Sequence, residues 1–113
     1  MEICFRSRML QKTCSKKAEA VKRWGPKMAG KVMQRMMELQ ASETLADLSR
    51  LPPGRCHELT GARKGVFSVD LDHPYRLLFV PDHDPVPTLE DGGIDRRAVK
   101  RIEVIEITDT HKG

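Results

Sequence analysis

The chain has 113 residues, of which 39% are hydrophobic and 32% are charged. This length and balance predict one soluble globular domain with a small core, and they exclude a disordered polypeptide. No apolar run approaches the ~18 residues of a membrane span, and no secretory signal is recognisable, so we expect a cytoplasmic protein without a membrane partner. The cysteines, Cys4, Cys14 and Cys56, lack CxxC spacing, which favours reduced thiols over a disulfide or zinc framework.

The formal net charge is +4, and the charges are unevenly distributed along the chain. Residues 6–24 contain seven lysines and arginines against one glutamate. Residues 82–95 contain five acidic residues and no lysine or arginine. The basic segment would attract a polyanion such as RNA, although an ordinary solvated helix surface would carry the same charges.

The first part of the chain predicts a strand followed by two helices. EICF is a short strand, and Ser7 can cap the helix after it. The apolar face of this first helix is Leu10, Cys14, Ala18 and Val21. Gly25-Pro26 ends it and begins a second helix. The apolar stripe of the second helix is Ala29, Val32, Met36 and Leu39, widened by Met28, Met33 and Met37. We expect the two helices to form an antiparallel hairpin.

The second part of the chain changes from helical to alternating periodicity. A short third helix is predicted at Leu45, Leu48 and Leu51, and Pro52-Pro53-Gly54 ends it. Strands follow at RCHEL, VFSVDLD, YRLLFV and RIEVIEITD, with a long mobile loop over 81–95. This order predicts one α+β domain over residues 1–113, in which a helical hairpin packs on a small, mainly antiparallel twisted sheet.

Three motifs, taken in order, carry a resemblance to a known family: HELTGARKGVFSVDL, PYRLLF and IEITDTH. The series resembles the RelE/ParE superfamily of bacterial toxins, and within it the HigB-like, or plasmid-maintenance killer, branch. The resemblance implies a RelE-like fold and the toxin of a type II toxin–antitoxin system. It also implies an endoribonuclease (mRNA interferase) that cuts mRNA on the ribosome without a metal or other cofactor. The implied partner is a HigA-like helix-turn-helix antitoxin. The toxin would then associate with DNA only indirectly, through its complex with the antitoxin.

The resemblance implies catalytic roles for His57, Arg76, Asp109 and His111. Histidine suits proton transfer near neutral pH, and the arginine fork matches phosphate oxygens. From its spacing alone, His57 is better explained as a half-buried strand histidine bonded to the backbone, and the family resemblance is what favours the catalytic role. Arg76 lies inside an apolar strand and must face a cleft or pair with Asp70 or Asp72, because an unpaired buried charge is costly.

A second set of residues is predicted to bind RNA: Arg6, Arg8, Lys12, Lys16, Lys17, Arg63 and Lys64. The first five belong to the basic segment. The loop between Gly61 and Gly65 can bring Arg63 and Lys64 close to a nucleic-acid backbone. Ordinary solvation of a turn is the alternative for this pair.

Two positions depart from the family pattern. Thr110 replaces the tyrosine of the Asp-Tyr-His ending, and Thr60 stands where relatives often carry lysine. Both departures remove a group that could transfer a proton or stabilise charge. A catalytically weak module that binds RNA, the ribosome or an antitoxin without cutting is therefore the alternative function. A third reading, a DNA-binding regulator, has no helix-turn-helix pattern to support it.

The remaining histidines, His73 and His83, have no support from the resemblance. Asp82-His83-Asp84 resembles one corner of a metal site. It lacks further well-spaced ligands, so no metal site is expected.

Overall fold

Within residues 1–109, which a computed structural model of the chain describes, a five-stranded sheet forms the centre of the fold. Its strands are β1 (Glu2–Phe5), β2 (His57–Glu58), β3 (Phe67–Asp70), β4 (Tyr75–Pro81) and β5 (Arg101–Asp109). The spatial order is β1-β5-β4-β3-β2. Only the β1–β5 pair is parallel among these strands. The predicted α+β architecture with a mainly antiparallel sheet is confirmed, and β4 is its central strand.

The helices of this part of the chain are α1 (Arg8–Ser15), α2 (Lys17–Trp24) and α3 (Pro26–Ala41). The predicted cap of α1 is present, because Leu10 N donates a hydrogen bond of 3.2 Å to Ser7 Oγ. Gly25, with φ 86°, ends α2, and Pro26 begins α3 as predicted. None of these helices combines the length and the apolar character that a bilayer span requires.

The prediction of a single first helix is wrong, because the segment is broken at Lys16. This residue has extended dihedral angles (φ −128°, ψ 115°) between α1 and α2. The break leaves Ala18 exposed and buries Ala20 instead. Residues 15–17 are Ser-Lys-Lys and have no apolar side chain to bury, so core packing does not oppose the change of direction.

The hydrophobic core lies between α3 and one face of the sheet. From α3 it contains Val32, Met36 and Leu39, as the apolar stripe predicts, but Met37 is 64% exposed. From the sheet it contains the rings of Phe67 and Phe79, which stack with their centroids 5.8 Å apart. Alternation along β3 and β4 therefore directs one set of side chains into this core and the other set to the opposite face.

Two predicted elements between α3 and β3 are shorter than expected. The third helix is reduced to a 3-10 turn over Leu45–Asp47, and Leu51 is 71% exposed. The position before Pro52 disfavours helical backbone, which limits this helix. The strand predicted over RCHEL contains only His57 and Glu58, because Arg55 has a left-handed φ of 46° that a strand cannot include.

The acidic segment 82–95 is a long loop, as predicted, with internal and anchoring hydrogen bonds. Thr88 and Ile94 form an isolated β-bridge. At its start, His83 Nε2 accepts hydrogen bonds from the backbone nitrogens of Lys100 (3.0 Å) and Arg101 (3.4 Å). Arg76 lies near the start of β4, and the loop begins at the other end of this strand. At the usual rise per residue, the two points are roughly 16 Å apart.

Arg35 joins α3 to the end of β3 from a buried position. Its side chain is 3% exposed, and Nε donates a hydrogen bond of 2.7 Å to the backbone oxygen of Asp70. Its Nη1 lies 3.0 Å from Glu38 Oε1. The guanidinium therefore donates to a β3 carbonyl group at Asp70, beyond the residues of β3 that pair with β2.

Replacing this side chain tests its structural role. We expect Arg35→Ala to lower the free energy of unfolding by about 1–3 kcal/mol, because the Asp70 carbonyl loses its donor in a buried setting. Lys27→Ala is the matched control: its ion pair with Asp72 is long, at 3.6 Å, and Lys27 is 79% exposed, so the expected change is below ~1 kcal/mol. Urea unfolding measures both. Equal, small changes would contradict the structural role.

The cysteines give a second test of the core. Burial raises the pKa of the Cys14 thiol and of the Cys56 thiol to about 11. Partial burial and the Asp82 carboxylate also raise the pKa of the Cys4 thiol, but Cys4 is exposed to reagents. Because the thiolate is the reactive form, we expect iodoacetamide to modify Cys4 in the folded protein and the other two only in denaturant. Mass spectrometry of the alkylated chain counts the modified residues. Similar rates at all three positions would contradict this packing.

Candidate functional site

The candidate site is on the face of the sheet turned away from the core cluster, called the site face below. Its side chains alternate with those that enter the core. They are His57, Ser68, Asp70, Arg76, Leu78, Glu106 and Thr108. Strand alternation thus brings His57 and Arg76, which are far apart in sequence, to the same surface.

Strand register arranges the site face in two neighbouring rows. The first row runs across the strands through His57, Ser68, Leu78 and Glu106. The second row contains Asp70, Arg76 and Thr108. At ordinary sheet spacings the Cα atoms of His57 and Arg76 lie roughly 12 Å apart. Two long side chains at that separation can converge on one bound group between them.

His57 is half-buried and held by the backbone. Its Nδ1 lies 3.1 Å from the backbone oxygen of Arg55. A carbonyl oxygen only accepts, so Nδ1 carries the hydrogen in this contact. In the neutral ring, Nε2 is then the atom with a lone pair, and it can accept a proton.

Arg76 pairs with a carboxylate on the neighbouring strand. Its Nε lies 3.4 Å from Asp70 Oδ1, and the two side chains are 16% and 18% exposed. Asp70 Oδ1 is buried and makes no hydrogen bond within residues 1–109, so this contact is an ion pair without hydrogen-bond geometry. Of the two partners considered for Arg76 from the sequence, Asp70 is the one in contact, while Asp72 pairs with Lys27.

A second arginine reaches the same carboxylate. Arg55 Nε donates to Asp70 Oδ2 at 2.5 Å. Asp70 thus lies between two guanidinium groups, one from the segment before β2 and one from β4. The sequence did not suggest Arg55 as a site residue, because its contact depends on a left-handed backbone that the residue type does not predict.

The glycine loop after β2 contributes a further arginine to the site face. Gly61 and Gly65 have φ of 67° and 93°, and Gly65 N donates a hydrogen bond of 2.9 Å to Glu58 Oε2. In this conformation Arg63 Nη2 lies 3.1 Å from Glu106 Oε1 on β5. Lys64 follows at the exposed part of the loop. Arg63 therefore joins the row that contains His57.

A basic cleft lies between α1 and α2, where the chain bends at Lys16. Its volume is about 490 Å³, and its lining includes Arg8, Lys12, Lys22 and Arg23 with Glu19. The predicted residues Arg8 and Lys12 thus share a site with two cations that were not singled out from the sequence. They were missed because the cleft exists only through the unpredicted helix break.

The other residues of the basic segment lie outside this cleft. Lys16 and Lys17 are exposed at the bend. Arg6 lies next to β1, and its Nη2 is 3.1 Å from Glu103 Oε1. A second cavity, of about 270 Å³, is lined by Arg23 and Glu106 among others, so it connects the basic cleft with the edge of the site face.

Of the two predicted C-terminal catalytic residues, Asp109 lies within the described part of the chain. Register places Asp109 opposite Tyr75, on the face that carries Leu77, whereas the site face carries Thr108 opposite Arg76. His111 and Thr110 lie outside residues 1–109. The catalytic roles of Asp109 and His111 stay predictions.

Sequence reasoning missed two further polar members of the site face. Ser68 is fully buried, and its hydroxyl makes no hydrogen bond within the described residues. Glu106 holds Arg63. Alternation in VFSVD places Ser68 away from the core, so pattern alone could have identified it. Glu106 reaches the site face only because the β4–β5 register shifts between Leu78 and Phe79, which breaks the alternation that runs from Ile102 through Val104. No cluster of three metal-ligating side chains is found in residues 1–109.

Comparison with known proteins identifies solved structures with a similar fold. No family model matches the sequence, and no curated protein matches it. Among solved structures, the chain is similar to the YoeB/ParE toxin from Agrobacterium tumefaciens, with a TM-score of 0.58 and 14% identity over 96% of this chain and 98% of that chain. It is also similar to the YoeB dimer from Staphylococcus aureus, with a TM-score of 0.51 and 14% identity over 94% and 92% of the two chains.

At this identity the similarity concerns the fold, and HigB-like membership stays a prediction. Across nearly its whole length, the chain shares the fold of these toxin structures, which agrees with the fold that its ordered motifs predict.

Proposed function

We propose that the protein is the toxin of a type II toxin–antitoxin system and acts as a ribosome-dependent, metal-independent mRNA endonuclease that inhibits translation. The observation that supports this most is the site face itself. On a fold shared with YoeB and YoeB/ParE toxin structures, it combines a histidine whose Nε2 can accept a proton with an arginine in the neighbouring row. The basic cleft next to it suits a polyanion.

The chemistry starts with attack of the RNA 2′-oxygen on the neighbouring phosphorus. His57 Nε2 takes the proton of the 2′-hydroxyl as general base. Arg76 stabilises the negative charge that develops on the phosphate oxygens. The 5′-oxygen leaves after receiving a proton, for which the family resemblance assigns His111, with Asp109 to orient it.

Asp70 keeps Arg76 in place before RNA binds. Its contact with Arg76 lacks hydrogen-bond geometry. A phosphate that accepts two parallel N–H bonds from a guanidinium makes a stronger contact than such an ion pair. Arg76 can therefore turn toward a phosphate without losing a strong hydrogen bond.

Binding to the ribosome is assigned to the basic surface. Arg8 and Lys12 in the cleft, and Lys16 and Lys17 at the bend, contact phosphates of ribosomal RNA without reading bases. Arg6 extends this surface, and the loop residues Arg63 and Lys64 hold the message over the site face. In the cytoplasm, a HigA-like helix-turn-helix antitoxin would neutralise the toxin, and DNA is met only through that complex.

The alternative is a module of the same fold that binds RNA, the ribosome or an antitoxin without cutting. Thr60 and Thr110 favour it, because they stand where relatives carry groups that serve catalysis. The ion pairs Arg63–Glu106 and Arg76–Asp70 also favour it, because they occupy two of the cations needed at the phosphate.

Single-turnover cleavage of mRNA on a programmed ribosome distinguishes the two functions. We expect His57→Gln to lower the rate ~10²–10⁴-fold, the usual contribution of a general base. Arg76→Ala should lower it ~10²–10³-fold, because a positioned donor at a developing charge is lost. Ribosome binding should persist in both. Arg97→Ala, an exposed arginine in the 3-10 turn before β5, is the control and should cut at the parental rate.

The parental protein must also arrest growth on induction, and co-expression of an adjacent antitoxin gene should restore it. Normal growth at verified soluble expression, with no new 5′ ends in translated messages, would favour the binding module. Parental rates in both site variants would remove His57 and Arg76 from the chemistry.

The basic cleft is tested by the salt dependence of ribosome binding. Each phosphate contact to a single strand adds about 0.7 to the slope of log affinity against log salt. We expect the double change Lys12→Glu and Arg23→Glu to weaken binding and to reduce this slope, with little effect on unfolding because both side chains are exposed. Arg97→Glu combined with Lys100→Glu is the charge-matched control, because it reverses two exposed cations before β5. An unchanged slope in the double variant would remove the cleft from the interface.

A further inference from the structure

We infer that Arg55 is a positioning residue that fixes the His57 imidazole and the Arg76 guanidinium relative to each other. It acts on His57 through its backbone carbonyl and on Arg76 through the Asp70 carboxylate. The catalytic meaning of this role rests on the proposed function, but the geometry it predicts can be measured without activity.

The backbone of Arg55 is held in an unusual conformation. Within residues 1–109 it is the one non-glycine residue with a positive φ, 46°. Bulky residues rarely adopt this region, and such strain persists where the surroundings determine it. Hydrogen bonds fix the chain on both sides: Arg55 N donates to Leu51 O at 3.1 Å, and Cys56 N donates to Ser49 O at 2.8 Å.

The side chain of Arg55 is anchored to a rigid part of the sheet. Its Nε donates to Asp70 Oδ2 at 2.5 Å. Asp70 is itself fixed, because its backbone nitrogen donates to Gly54 O at 2.7 Å and its backbone oxygen accepts from Arg35 Nε at 2.7 Å. The anchor therefore connects the segment before β2 to β3 and α3.

Both proposed catalytic groups depend on this anchored residue. The Arg55 carbonyl accepts from His57 Nδ1 at 3.1 Å and so selects the tautomer whose Nε2 can act as a base. The other oxygen of the same Asp70 carboxylate lies 3.4 Å from Arg76 Nε. Return of Arg55 to an ordinary negative φ would turn its carbonyl away from His57, and the imidazole would lose its orientation.

Nitrogen-15 NMR of the His57 ring tests this directly in the full-length protein. At a pH about two units above the usual histidine pKa of about 6.5, the shifts of Nδ1 and Nε2 report which nitrogen carries the hydrogen. We expect the Nδ1–H form in the parental protein. Arg55→Ala should move the ring toward the Nε2–H form, and Arg55→Lys, which keeps a cation for Asp70, should largely preserve the parental shifts.

Variants of Asp70 separate positioning from a general loss of structure. Asp70→Ala should move the shifts in the same direction as Arg55→Ala, and the double variant should differ little from either, because both changes break one anchor. Lys27→Ala, which breaks the ion pair to the adjacent Asp72, should leave them unchanged. Should Arg55→Ala fail to fold, Asp70→Asn, which keeps the side-chain shape, provides the same test.

An Nε2–H ring in the parental protein, or parental shifts in both Arg55→Ala and Asp70→Ala, would overturn the inference. In the cleavage assay, Arg55→Ala should lower the single-turnover rate ~10²-fold, as a misplaced catalytic group does, with ribosome binding retained. An inactive parental protein whose ring shifts still respond to Arg55 would refute the proposed function and leave the positioning role in place.

Discussion

The carboxylate of Asp70, held between Arg55 and Arg76, is the contact on which the arrangement of the site depends. Asp70 and Arg76 are largely buried and need opposite partners, because removing a charge from water is costly. The backbone of Asp70 adds a third arginine, Arg35, which reaches it from α3. One residue at the end of β3 thereby joins a helix, the central strand and the segment before β2. The positions of His57 and Arg76 follow from these contacts.

The division of the sheet into a core face and a site face explains why a small protein can present several cations together. Helix α3 fills one face with apolar side chains, and the opposite face carries His57, Arg76 and Glu106 around the fully buried Ser68 and Leu78. The bend at Lys16 has a comparable effect on the helices, because it opens a cleft lined by basic residues. The basic residues of α1 and α2 are close together in the sequence, whereas strand pairing and the glycine loop bring Arg76 and Arg63 to the site face. The two sets of cations thus lie along one edge of the molecule.

The sequence predicted what depends on periodicity. Strand β5 followed from alternation, and the start of α3 at Pro26 followed from proline geometry. The cost of an unpaired charge left two alternatives for Arg76, a cleft or an aspartate partner, and the structure shows the contact with Asp70. The sequence did not predict the break at Lys16, the exposure of Leu51 or the left-handed backbone of Arg55. These depend on tertiary contacts that no local pattern records. The motif series predicted the toxin-type fold, although overall identity to the similar structures is only 14%.

The most direct measurement is the structure of the protein on a ribosome whose message carries 2′-O-methyl nucleotides at the decoding site, which blocks attack by the 2′-oxygen. A phosphate oxygen should lie within hydrogen-bond distance of the Arg76 guanidinium. His57 Nε2 should face the modified 2′-oxygen, with α1 and α2 against ribosomal RNA. A message whose cleavable phosphate lies on the helix-covered side of the sheet, away from Arg76 and His57, would contradict the assignment of the site face as the site of cleavage.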